Sequence, residues 1–189
     1  MKNVLIWGAP RSGKSTLARK IKKEFGHNIM ELDHFRAVYD VLRPQDKIFE
    51  LDDFEQSHLM ADMVAQLIMQ HSTDWSNRHG EYFVFEGVSV DLVQILNKLT
   101  DKHNLIIVCI AHANISPEQK CDQLVKFETN VDWTFYKDID EKKKCCETFC
   151  SDSKKVKEIA KHLNLKYFDT SHNRDEILNE IMAHIKKAH

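Results

Sequence analysis

Three short stretches combine residue types that can do chemistry at useful spacings. The densest is Gly8-Ala9-Pro10-Arg11-Ser12-Gly13-Lys14-Ser15-Thr16. It satisfies G-x-x-x-x-G-K-[ST], the pattern in which successive backbone N–H groups and a helix N-terminus hold phosphate oxygens. Gly8 and Gly13 let the backbone wrap that closely. Lys14 neutralises β- and γ-phosphates, and the Ser15 hydroxyl is a hard oxygen ligand suited to Mg²⁺. Ala9, Pro10, Ser12 and Thr16 complete the loop around the nucleotide. Arg11 reads equally well as a phosphate contact and as a solvated surface arginine.

The second stretch is Leu32-Asp33-His34-Phe35-Arg36. Asp33 there can orient or deprotonate an acceptor hydroxyl, and Arg36, three residues on, can grip a polar or anionic acceptor bidentately. The alternative for Asp33 is the N-cap of a helix starting at His34. The third stretch is the apolar run Tyr82-Phe83-Val84-Phe85 ending in Glu86-Gly87. Glu86 can meet Mg²⁺ directly or through water, with Gly87 freeing the backbone beside it; the alternative is a polar strand end.

Weaker candidates remain. Lys137 and the run Lys142-Lys143-Lys144 can form a basic lid over phosphates or a solvated helix face. Thr170 to Arg174 can border a nucleobase or form a loop and helix cap. Cys145, Cys146 and Cys150 cluster but fit no common zinc spacing, so thiols on a helical, Lys-rich segment are the simpler reading. Arg43 and Arg78 lie in the long stretch 34–80.

These residues need a scaffold, and the hydrophobic pattern supplies one. Short apolar runs predict strands at 3–7, 28–32, 81–85, 105–110 and 165–168. Segments of helical period predict helices at 14–25, 55–71, 91–99, 116–128, 153–163 and from Asn173 to the end. Strands alternating with helices imply a three-layer α/β sandwich around a five-stranded parallel sheet. Ligands on such sheets sit beyond the carboxyl ends of the strands, which is where all three stretches fall. The 189 residues fit a single domain, with 34–80 as an acceptor-binding insertion and about 134–152 as a lid.

The resemblance is to the small P-loop kinases: the nucleoside, nucleotide, shikimate and adenylylsulfate kinase-like phosphotransferases. Its carriers are Gly8 to Thr16, Asp33-His34-Phe35-Arg36 and Glu86-Gly87. The stretch from Ile110 to Trp133 and Phe168-Asp169-Thr170-Ser171 with Asn173-Arg174 are similar to bacterial ATP-binding kinase-like proteins of unassigned substrate. The resemblance implies a P-loop NTPase fold of kinase type and the cofactors ATP and Mg²⁺. It implies transfer of the γ-phosphate to a small hydroxyl- or phosphate-bearing acceptor, with Lys14, Asp33 and Arg36 as catalytic residues. Two departures stand out: no arginine lies between Arg78 and Arg174, and the nucleobase motifs of the monophosphate kinases are missing.

Two other readings stay open, a polynucleotide 5′-hydroxyl kinase and a non-catalytic nucleotide-binding switch. The net charge of −2 disfavours nucleic acid as a partner. A GTPase lacks its N/T-K-x-D motif here, and the chain is short for an ABC or AAA ATPase. No apolar run reaches the ~20 residues of a membrane span. The five cysteines, an odd number, with no signal segment point to the reducing cytoplasm. A monomer or a homodimer is expected.

Overall fold

The computed structural model describes residues 1–71, 79–87, 90–99 and 104–189. Five strands, β1 (Asn3–Gly8), β2 (Asn28–Glu31), β3 (Phe83–Gly87), β4 (Leu105–Ala111) and β5 (Tyr167–Asp169), form one sheet in the order β2-β3-β1-β4-β5. Every pairing is parallel, with Val4 opposite both Val84 and Ile106. Parallel neighbours require crossovers, and helices supply them: α1 (Lys14–Phe25), α2 (Phe35–Leu42), α3 (Asp53–Met69), α4 (Leu92–Lys98), α5 (Pro117–Phe127), α6 (Ile139–His162) and α7 (Arg174–Ala188).

Strand β1 shows why the sheet is covered on both faces. Its side chains alternate, and both sets are buried. Leu5 and Trp7 join Met60, Val64, Phe85 and Ile95 in one core cluster. Val4 and Ile6 join Leu17, Ile21, Val108 and Leu178 in the other. The three-layer α/β sandwich expected from the sequence is therefore present, with β1, which carries the phosphate loop, at the centre of the sheet. Among the described residues, no helix is long and apolar enough to cross a membrane.

Helix α1 matches its sequence boundaries, and Gly26 caps it by donating its N–H to Lys22 O at 2.9 Å. The Ser116–Gln119 capping box is present.

Four expectations need correction. The third strand runs from Phe83 to Gly87, so Glu86 and Gly87 belong to the strand itself. Helix α3 begins at Asp53, capped by Asp52 in a reciprocal box with Glu55. Helix α6 begins at Ile139, not Ser153, and takes in most of the stretch read as a lid. A capping box at Asp138 and Glu141 starts it, and its inward face is built from Cys146, Phe149, Cys150 and Ser153. Cysteine and serine made that face look polar in sequence. The spacing Asn173-Arg174-Asp175-Glu176 predicts a capping box, but Asn173 sits in the left-handed region (φ 50°) with no side-chain cap.

Cys145, Cys146 and Cys150 lie on a helical, Lys-rich segment, as the sequence suggested. Cys146 packs with Cys121, Leu124 and Phe149 between α5 and α6, away from solvent. Among the described residues, no His, Cys, Asp and Glu group is arranged to hold a metal.

Candidate active site

The loop from Ala9 to Gly13 leaves β1 and turns into α1. Arg11 (φ 58°) and Gly13 (φ 104°) both lie in the left-handed region; glycine tolerates this freely, whereas arginine is held there against its preference. No side chain caps α1, so its first N–H groups remain available to an anion at the positive end of the helix dipole. Ser12 Oγ is buried and has no hydrogen-bond partner among the described residues. Orphaned donors around an uncapped helix start fit a phosphate, because a buried hydroxyl left unsatisfied is otherwise a net cost.

Lys14 is buried, and its Nζ donates to Ala9 O at 2.8 Å. Burial pushes its pKa down, while the charges of Asp33, Glu86 and Asp53 pull it back up. The lysine thus stands amid three carboxylates drawn from three different elements. Glu86, on β3, is 5% exposed. Burial raises its pKa; Lys14 and a hydrogen bond from Ser15 oppose that, and Asp33 and Glu31 add to it. The Ser15 hydroxyl and the Glu86 carboxylate are both hard oxygen donors, so the pair fits the coordination chemistry of Mg²⁺.

Asp33 lies in a 3-10 turn (Leu32–His34) just beyond β2, and α2 begins at Phe35. The alternative role as an N-cap does not apply: His34 occupies that position for α2, without a side-chain cap bond. A Cβ placed on Gly87 would stand 2.8 Å from Asp33 Oδ1. Gly87 therefore makes room for the aspartate; its φ is not positive, so backbone freedom is not its contribution.

Arg36 is more committed than its spacing suggested. Its Nε donates to Asp33 O at 3.3 Å and one terminal nitrogen donates to Gln56 Oε1 at 3.1 Å. That nitrogen also lies 3.7 Å from Asp53 Oδ1. Arg36 thus ties the turn carrying Asp33 to the first turns of α3.

The far side of the loop is held by two residues the sequence did not single out and three that it did. Lys120, buried on α5, donates to Arg11 O at 3.1 Å, and burial lowers its pKa to about 8. The Arg11 guanidinium pairs with Asp132. Thr170 Oγ1 donates to Ser12 O at 3.1 Å. Arg174 donates to Thr16 Oγ1 at 2.8 Å and lies over Gly13. The segment after β5, expected to border a base, therefore touches the phosphate loop itself. Of these, only Arg11, Thr170 and Arg174 were legible as candidates; Lys120 and Asp132 carry no motif.

Three of the four lysines of the possible lid pair with nearby carboxylates. Lys142 pairs with Glu128, Lys143 lies 3.4 Å from Asp140 and Lys137 lies 3.5 Å from Glu141. Arg43, just past the end of α2, lies 3.5 Å from Asp46 of the next turn. Arg78 lies outside the described residues.

A family model described as AAA domain matches residues 4–113, from β1 to just past β4. The chain belongs to that family. No curated protein matches the sequence. Among solved structures, this AAA-domain chain is similar to a gluconokinase from Sinorhizobium meliloti 1021. The two are 14% identical with a TM-score of 0.55, over 98% of this chain and 92% of that one. It is also similar to the YorR protein of Bacillus subtilis in complex with phosphorylated GDP. That pair is 14% identical with a TM-score of 0.49, over 97% and 96% of the chains. The fold is that of the small P-loop kinases, as the resemblance implied.

Proposed function

We propose that this AAA-domain chain is an ATP-dependent phosphotransferase that moves the γ-phosphate to a small acceptor through a hydroxyl oxygen. The observation that carries the reading is the meeting of Lys14, Asp33 and Glu86 at the uncapped start of α1. A nucleotide-holding module needs the loop alone. The carboxylate of Asp33 beside the loop adds a base where an acceptor can approach.

In this mechanism the loop N–H groups and Lys14 hold the β- and γ-phosphates, with Lys14 exchanging Ala9 O for phosphate oxygens. Asp33 takes the proton of the acceptor hydroxyl as its oxygen bonds to the γ-phosphorus. The bond from that phosphorus to the ADP oxygen breaks, and the proton leaves Asp33 for solvent after transfer. Arg36 keeps Asp33 and α3 in register. Ser15 and Glu86 would hold Mg²⁺, which supplies charge neutralisation on the phosphates. Catalysis then rests mainly on positioning and electrostatics.

The test is acceptor-dependent ADP release across a panel of hydroxyl-bearing metabolites, with Lys14→Ala as the blank. Tight ATP binding with no acceptor-dependent ADP from any of them would favour a nucleotide-binding switch instead. Binding and 5′-labelling of short oligonucleotides would favour a polynucleotide kinase.

A further inference from the structure

A narrow cleft runs from the end of β1 and the loop to the first turn of α3, lined by Trp7, Pro10, Asp53, Phe54 and Asp152 among others. It lies on the acceptor side of the loop, where the electrostatics are lopsided. Asp53 is within reach of the charges of both Asp33 and Asp152. Asp152, on α6, is 6% exposed. The arginine of this side, Arg36, already spends donors on Gln56, Asp53 and Asp33 O. An acceptor bearing a phosphate or carboxylate would meet Asp33, Asp53 and Asp152, while the nearby cations are already committed: Lys14 to Ala9 O, Arg36 to Gln56 and Asp53, and Lys155 to Asp152.

Two residues of the cleft wall already hold a cation beside it. Lys155 Nζ sits 4.6 Å above the Phe54 ring and 3.4 Å from Asp152 Oδ1. An aromatic face beside a carboxylate is the chemistry that recognises ammonium groups. Lys155 comes from the same helix as Asp152, is half exposed, and reaches the seat on a long flexible stem. A ligand ammonium can displace it without moving the backbone.

We propose that the acceptor is a hydroxyl compound carrying an ammonium group, an amino alcohol or amino sugar, whose cation takes the seat between Phe54, Asp152 and Asp53 while its hydroxyl faces Asp33. This rests on the phosphotransferase reading above. The ammonium is a spectator held in place: the acceptor oxygen gains the phosphoryl group, ADP leaves, and the hydroxyl proton goes to Asp33.

The experiment measures ADP release at neutral pH with glucosamine, glucose, gluconate and glucose 6-phosphate, and with ethanolamine and choline. At least one amine-bearing compound is expected to show kcat/KM about tenfold or more above every neutral and anionic one, a difference in the range a single well-placed charge contact supplies. Asp152→Asn should raise KM for that compound far more than it lowers kcat. Lys155→Met should lower KM by removing the resident competitor. Equal or better turnover of gluconate, glucose or glucose 6-phosphate overturns the ammonium seat and leaves the phosphotransferase reading standing. If nothing is phosphorylated, the phosphotransferase reading fails first. Calorimetric titration with glucosamine, ethanolamine and choline then decides the seat: binding lost in Asp152→Asn supports it, and no binding to the wild-type chain overturns it.

Discussion

Asp33 and Gly87 touch across two neighbouring strands: any Cβ on Gly87 would meet the Asp33 carboxylate at 2.8 Å. The end of β3 thus fixes where the candidate base stands, although 54 positions separate the two in sequence (87 − 33). Gly87→Ala should push the carboxylate away from the loop with little effect on ATP affinity. Misplacing a catalytic group by about 1 Å costs on the order of 10²-fold, so kcat should fall by roughly that factor. An unchanged kcat would mean Asp33 is not the base.

Asp33→Asn removes the proton acceptor and keeps the shape. Transfer should drop about 10²- to 10⁴-fold, the usual contribution of a general base, while the Kd for ATP stays within about a factor of two. Calorimetry for ATP beside steady-state ADP release checks both halves. Full activity in this variant would remove Asp33 from the mechanism.

Arg174 and Thr16 predict a nucleotide effect of different kind. Arg174 lies over Gly13 and bonds the Thr16 hydroxyl, so its charge would lie next to phosphates held by the loop. Arg174→Ala should weaken ATP about tenfold, consistent with roughly 1.4 kcal/mol for one charged contact. Acceptor KM should not follow. A variant that binds ATP as well as the wild type would make Arg174 a brace for the loop only.

The Arg11–Asp132 pair gives a pH prediction. Its hydrogen bond from Arg11 holds the Asp132 carboxyl below the usual carboxylate range. A depressed acid contributes stability that is present above its unfolded pKa, near 3.8, and is lost as pH falls through the lower folded value. The pair is about a fifth exposed on each side, so its worth is about 0.5–1 kcal/mol. The stability difference between wild type and Asp132→Asn in urea unfolding should hold constant from pH 7 to 5 and shrink below pH 4. A constant difference across that range would contradict the pairing.

Helix α6 makes its own test. Asp138 accepts from the N–H groups of Asp140 and Glu141, and Glu141 answers to the Asp138 N–H. Asp138→Ala should cost about 1 kcal/mol of stability. If the helix instead began at Ser153, the substitution would be close to neutral in urea unfolding.

The sequence by itself determined the five strands, most of the helices and the loop. Local patterns were enough: alternation buried on both faces marks β1 and β4, helical period marks α1 and α7, and the loop's residues are contiguous. The loop was therefore legible in one nine-residue stretch. The start of α6 was not, because its inward face is made of Cys146, Cys150 and Ser153, small side chains that count as weakly apolar or polar by type.

What only the tertiary structure decided is how residues from different crossovers meet. The sheet order sets β3 between β2 and β1, which brings Asp33, Glu86 and Lys14 into one electrostatic group. It also turns Arg36 toward Gln56 and Asp53, and places Asp152 of α6 beside the acceptor side of the loop. No spacing in the chain encodes those meetings. They follow from parallel strands joined by long crossovers, which align strand ends in space while leaving them far apart in sequence.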